Sequence, residues 1–315
     1  MRAVYVSRPE GGLMTAEAIE KNSWIHLTAP SDDELREAAE AAFVPEALLR
    51  AALDPDEQPR IERRDGAVLI VIHVPYEDLA ARKSKDGPIY RLMPVGIVHG
   101  KDHLVTVARR EVPLFAPFFQ GRMNGLATHM KTRLTLKILV AVAAAYLKTV
   151  HAVQRDVEQA ETELARSYRN DELYTLLFAD ESLIYLETSL AQMRAVLRKI
   201  QNGDYIKLYA DDADLLEDAV IDLEQALGAA EVHQQKLNNV MDAYGNVIQI
   251  NVNAVLKLLT ALTVLLSVPI LLASVFSMNV PLYIEDRPHG FLIVMTLMSV
   301  VTATVGWVFY RLRFF

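Results

Sequence analysis

The longest unbroken apolar runs of the chain lie near its C-terminal end. No Asp, Glu, Lys or Arg occurs between residues 258 and 284, and a second uncharged run covers 291–310. A helix rising about 1.5 Å per residue crosses the hydrocarbon core of a bilayer in roughly 20 residues, so each run predicts a membrane-spanning helix. Separated by a short loop, the two predict a hairpin. Residues 211–257 are rich in Leu, Ala, Glu and Gln, contain no proline and are interrupted only by Gly228 and Gly245. They predict a stalk helix that runs straight into the first span, of a length that belongs with bundles or coiled coils. Upstream, residues 134–168 and 171–200 predict an antiparallel helical pair that turns at 167–171 and ends at Asn202-Gly203-Asp204. The N-terminal part has another texture. Short β-type runs at 3–7, 24–28, 67–76, 95–99 and 103–108 alternate with helical stretches at 31–43 and 45–53. Ser31 and Glu34 have the spacing of a capping box.

The expected organisation is therefore an α/β domain over 1–128, a helical pair over 129–210, the stalk over 211–257, a first transmembrane helix over 258–279, a loop over 280–290, a second transmembrane helix over 291–310 and a tail over 311–315. Lys257 precedes the first span and Arg311 and Arg313 follow the second, whereas the loop carries Glu285 and Asp286 against Arg287. The positive-inside rule then places both termini in the cytosol and the loop outside. The N-terminal residues lack the apolar run of a signal peptide, which agrees. A multi-pass protein of the inner or plasma membrane is expected.

Composition narrows the chemistry. The chain is 52% hydrophobic, with mean hydropathy +0.16, and that excess is concentrated in the two spans. The absence of cysteine excludes disulfides, thiolate metal sites and cysteine nucleophiles. A net charge of −8 argues against nucleic acid as a partner. No Gly-rich phosphate loop, HExxH or nucleophile elbow occurs, so nothing suggests an enzyme. His73 and His99 fall in apolar strands and read as hydrogen-bonded core residues. Asp156, Glu158, Glu161 and Glu163 read as a solvated helix face.

Along the stalk and first span, small polar residues recur at every seventh position: Asn239, Asn246, Asn253, Thr260, Ser267 and Ser274. A seven-residue step returns to nearly the same helix face, and in lipid such a line belongs on a protein-facing or water-facing side. One reading is simple packing, with hydroxyls bonded to backbone carbonyls. The sharper reading follows from topology: one hairpin cannot enclose an aqueous path, so several copies would surround an axis lined by these residues. The line carries no charge within the span. That suits a cation kept partly hydrated, as Mg²⁺ is because it dehydrates reluctantly.

The stretch Asn253-Ala-Val-Leu-Lys257-Leu-Leu-Thr260, followed by Pro269 and Ser277-Met278-Asn279, resembles the CorA family of divalent-cation transporters, which reads N-x-V-M-K-x-L-T, a mid-span proline and Gly-Met-Asn. Trp24-Ile25-His26-Leu27 and Asp54-Pro55-Asp56-Glu57-Gln58-Pro59-Arg60-Ile61-Glu62 resemble that family's W-I-D-L and D-P-x-E-x-P-R-I-E segments. The resemblance implies a funnel-shaped homopentamer: cytosolic α/β domains, long stalk helices, first spans lining the pore and second spans outside them. It implies that Ser277, Met278 and Asn279 form the entry and selectivity segment. It also implies that Asn253, Leu259, Ser267, Ile270 and Ser274 face the pore, with Leu259 at an apolar constriction; Thr260 joins them from the seven-residue line.

Three departures accompany the resemblance. Ser277 stands where the motif has glycine. Asp218 matches one partner of the family's intersubunit Mg²⁺ sensor, but the other partner position is Ala51, with Asp54 and Asp56 nearby. The basic C-terminal tail is reduced to Arg311-Leu312-Arg313. The expected function is passage of hydrated Mg²⁺, with Co²⁺ or Ni²⁺ as companions; Mg²⁺ is also the expected regulatory ion, and no organic cofactor is expected. A Zn²⁺ transporter of the same superfamily is one alternative. A non-conducting membrane scaffold or ion sensor is another.

Overall fold

The computed structural model describes residues 1–8, 12–84, 87–120, 123, 125–167, 170–203, 205–278 and 289–314. The chain divides into two compact units, Met1–Asn238 and Asn239–Phe315. The long helix Ala213–Phe276 begins in the first and ends in the second.

The first unit is built on a seven-stranded mixed sheet: β1 (Arg2–Ser7), β2 (Leu13–Ala16), β3 (Trp24–Thr28), β4 (Arg60–Arg64), β5 (Ala67–Glu77), β6 (Tyr90–His99) and β7 (Leu104–Ala108). Its spatial order is β2-β1-β3-β7-β6-β5-β4. The β3–β7 pair is parallel and the other neighbours are antiparallel. Helices α1 (Asp32–Ala42) and α2 (Glu46–Ala51) cover one face, where Leu35, Ala38 and Leu49 meet Leu27, Leu69, Val98 and Val107 in a closed apolar core. The capping box at Ser31 and Glu34 is present, and α1 stops at Phe43 in left-handed backbone (φ 54°). Helix α2 lies so close to the sheet that a Cβ on Gly96 would sit 2.6 Å from that of Ala52. Two short helices, α3 (Leu79–Ser84) and α4 (Ala116–Phe119), lie in the connections.

The opposite face receives α5 (Lys131–Ser167). Val98 points into the α1/α2 core, and the next residue of the strand, His99, points the other way to Thr135 of α5 (Nε2···Oγ1 2.8 Å). Helix α6 (Asn170–Gln201) packs along α5 and against β4–β6. By length and composition α5 is a third helix apolar enough to cross a membrane, but its apolar window is 44% buried, against 6% for that of the helix ending at Phe276 and 0% for α8 (Gly290–Arg311). Leu136, Ile138, Val142, Tyr146 and Val150 are spent on the core, so α5 is an interior helix of the first unit.

The buried histidines are hydrogen-bonded, as expected for core positions. His73 bridges Ser189 (Nδ1, 2.9 Å) and the Glu57 carbonyl (Nε2, 2.7 Å), and Ser189 also meets the Tyr146 hydroxyl at 2.7 Å. A carbonyl only accepts, so Nε2 carries the proton and Nδ1 accepts from Ser189, which in turn accepts from Tyr146. Burial holds the histidines neutral. His99 is lowered to about 3, with Lys131 beside it adding repulsion, and His26 is lowered to about 4. The acids of α5 depart from the expectation of a plain solvated face. Asp156 accepts from Tyr90 and Arg82, both at 2.9 Å, and Lys236 lies 4.0 and 3.8 Å from Glu158 and Glu161. These contacts tie α5 to β6, to α3 and to the start of the long helix, now α7 (Ala213–Phe276).

Candidate cation path

Within the second unit, α7 and α8 form the apolar hairpin. The faces they use are readable from exposure. On α7, Ala261 is fully buried and Leu265, Val268, Pro269, Leu272 and Phe276 are partly covered. On α8 the less exposed positions are Val294, Met298, Val301, Thr302, Val305, Gly306 and Phe309. Both sets follow helical periodicity, so each helix offers one side to the other. Gly306 allows the approach: a Cβ there would already stand 3.5 Å from Leu265 Cδ1.

The polar line lies elsewhere. Asn239, Asn246, Asn253, Thr260, Ser267 and Ser274 are all exposed. At 100° per residue the in-span members Thr260, Ser267 and Ser274 point about 150° away from the mean direction of the α8-facing set. The hairpin therefore leaves its hydroxyls on the side away from α8. Leu259 (57% exposed) and Ile270 (68%) border the line on one flank.

The hydroxyls are engaged in one sense only. Thr260 donates to the Leu256 carbonyl (2.8 Å) and Ser267 to that of Thr263 (2.7 Å). Packing-type back-bonding is thus real, but it uses the proton and leaves the hydroxyl oxygen as an outward acceptor. Asn253 accepts through Oδ1 from Gln249 (3.2 Å). Two residues of this face were not singled out by the seven-residue step. Thr263, whose hydroxyl donates to Leu259 at 2.8 Å, falls between Thr260 and Ser267, and Asp242 falls between Asn239 and Asn246. Alternating four- and three-residue steps, rather than sevens alone, find both.

At the end of the span, Ser277 closes α7. Its N–H donates to Ala273 (3.0 Å), its hydroxyl to Ser274 (2.8 Å), and Met278 N–H reaches Val275 (3.3 Å). These bonds satisfy carbonyls that a helix end otherwise leaves open. Ser277 is not among the residues with positive φ, so its backbone does not require glycine. Asn279 and the expected loop up to residue 288 lie outside the described residues.

The proposed sensor residues are in the first unit. Asp218 is exposed on α7, three heptads before Asn239. Asp54 is exposed after α2 and accepts from Asp56 N–H (3.0 Å). Ala51 packs against the α1/α2 core. Among the described residues no group of three or more His, Asp or Glu could hold a metal within one chain.

An α/β unit, a long helix and a hairpin of two helices long and apolar enough to cross a bilayer describe a membrane protein with a polar line along one helix face. The comparisons specify the class. Residues 20–311 match the profile of the CorA-like Mg²⁺ transporter protein family, and the chain belongs to that family. It is 24% identical over 300 residues to the cobalt/magnesium transport protein CorA of Methanocaldococcus jannaschii, covering 91% of this chain and 90% of that one. Its fold is similar to the complete CorA magnesium transporter structure from the same organism (TM-score 0.84, 21% identity, 99% and 98% covered). It is also similar to the full-length CmaX protein (TM-score 0.76, 16% identity, 99% and 97% covered). The first part resembles the ZntB cytoplasmic domain of Vibrio parahaemolyticus (TM-score 0.62, 13% identity, 78% and 97% covered).

Proposed function

We propose that copies of this chain assemble as a ring, a homopentamer by family resemblance, in which the α7 helices surround a path for hydrated divalent cations. Mg²⁺ is the first substrate and Co²⁺ and Ni²⁺ its companions. The observation that carries this reading is the opposition of two faces on α7: one side meets α8, and the other presents Asn253, Thr260, Ser267 and Ser274. Helices arranged so that α8 lies outside place a column of neutral oxygen acceptors on the axis. Such acceptors suit the water shell of a strongly hydrated cation.

Asn279, with Ser277 and Met278, forms the entry; Leu259 and Ile270 narrow the path. Asp218 acts in Mg²⁺ sensing across subunits, and Asp54 supplies the carboxylate that Ala51 cannot. Both termini lie in the cytosol. The test is ion uptake into proteoliposomes, comparing Mg²⁺, Co²⁺ and Zn²⁺ with and without a proton gradient. Saturable Mg²⁺ entry, lost in Asn279→Ala with oligomer size unchanged, is expected. Zn²⁺ entry that rises with the proton gradient would refute the Mg²⁺ assignment. Absence of any flux from a well-assembled oligomer would leave a scaffold or sensor.

A further inference from the structure

Helix α8 ends in a bend that ordinarily takes glycine. Phe314 N–H donates to the Phe309 carbonyl and Arg313 N–H to that of Tyr310, both at 3.1 Å. These paired bonds fold a chain back over the last turn of its helix, and the residue at the bend must adopt left-handed backbone. Arg313 does so, at φ 56°. The rings of Phe314 and Phe309 close the bend at 5.2 Å between centroids. A Cβ disfavours this backbone, and glycine would take it freely. The chain instead spends the position on a guanidinium.

A second arginine, Arg311, lies two residues earlier in the last turn of the helix. Arg311 lies over the ring of Trp307 with Cζ 5.4 Å from its centroid. Trp307 (58%) and Tyr310 (73%) are largely exposed at the same end of the helix. Tryptophan and tyrosine at the end of an apolar helix mark the headgroup level of a bilayer. Among the described residues neither Arg311 nor Arg313 has a carboxylate partner. Two guanidiniums with no carboxylate partner among the described residues, placed at headgroup depth by an aromatic shelf and a fixed bend, match one anion in particular. A lipid phosphate accepts the forked N–H groups of arginine, and net negative headgroups are favoured over zwitterionic ones.

We propose that this end of α8 is a binding site for an acidic phospholipid, its phosphodiester held by Arg311 and Arg313 and its glycerol and upper chains resting on Trp307 and Tyr310. The site rests on the reading of α8 as a membrane span and is independent of whether the protein conducts.

The test uses full-length protein in phosphatidylcholine vesicles containing a minor fraction of acyl-brominated lipid, either phosphatidylglycerol or phosphatidylcholine. The Trp307 signal is the difference between wild type and Trp307→Phe. Brominated phosphatidylglycerol should quench at a lower mole fraction, by about fivefold for each arginine. Arg313→Gly fits the left-handed bend while removing the charge, so loss of preference there is not a consequence of unravelling. Arg311→Gln should reduce the preference, and the double variant should abolish it with helicity unchanged. Equal quenching by the two lipids, or a preference that survives in the double variant, overturns the site. Quenching by neither lipid overturns the span reading together with it. Loss of cation flux with the lipid preference intact counts against the transport reading alone and supports this one.

Discussion

Acid should unfold the α/β unit through its buried histidines, and His99 is the clearest case. It is 9% exposed, bonded to Thr135, and faces Lys131, whose ammonium is fixed by the carbonyls of Gly100 (2.7 Å) and Lys101 (2.9 Å). Burial first, and that cation second, hold His99 at about 3 instead of its ordinary 6.5. Below 6.5 the unfolded chain takes up a proton that the folded chain refuses, so stability falls as pH falls and keeps falling until the folded value is reached. Within that window the slope is about 1.4 kcal/mol per pH unit for each such group, whatever the depth of the shift. Between pH 6.5 and about pH 5, His99 therefore removes about 2 kcal/mol. His26, held at about 4 by burial, removes a similar amount. Together they approach the whole stability of a marginal domain, about 5 kcal/mol. Urea unfolding of the detergent-solubilised Trp307→Phe protein, followed by Trp24 fluorescence, measures this. Trp24 is fully buried among Phe115, Phe118 and Phe119 and reports the α/β unit alone. His99→Gln keeps a partner for Thr135 and should flatten the pH dependence by about 2 kcal/mol over the same interval. An identical pH dependence in wild type and His99→Gln would refute the argument.

Other perturbations separate the structural devices. Gly96→Ala places a methyl 2.6 Å from Ala52 Cβ and should cost about 1–3 kcal/mol, read as a lower urea midpoint. Ser31→Ala removes the capping-box acceptor for the Glu34 amide and should cost about 1 kcal/mol in the same assay. The two faces of α7 should respond differently in vesicles. Ser267→Leu puts a branched apolar chain on the polar line and should lower cation entry with oligomer size unchanged, whereas Leu265→Met, on the α8 side, conserves volume and should leave entry intact, with a stability cost below about 1.5 kcal/mol.

The two strands that hydrophobic patterning misses are the two edges of the sheet. β4 reads Arg-Ile-Glu-Arg-Arg and β2 Leu-Met-Thr-Ala. On β4 the charges that discourage an edge strand from pairing with other chains also erase the apolar pattern by which strands are recognised, and β2, four residues long, is too short to display an alternation. The central strands β5 and β7 are buried throughout or nearly so and stand out as apolar runs. β6 was legible only from Val95 because Pro94 interrupts it, yet pairing with β5 continues back to Tyr90. The seven-residue step located the exposed polar line on α7, since it is a matter of period. It could not tell which side α8 would occupy, which depends on Gly306 and Ala261 being small enough for close approach. The role of Asp156 was illegible for a similar reason: its partners Tyr90 and Arg82 are far away in sequence.

The engagement of the Thr260 and Ser267 protons within their own helix bears on sign and on acidity together. Oxygens whose hydrogens are turned inward offer outward only the negative ends of neutral dipoles, so discrimination against anions needs no carboxylate. Nothing on Thr260, Ser267 or Ser274 titrates between the acidity of a stressed cell and that of an alkaline one. A path drawn along them keeps its preference over a pH range in which the histidine-laden sheet, carried on the same polypeptide, comes apart. Within the span acid finds nothing on this line to recharge, and its target is the α/β unit.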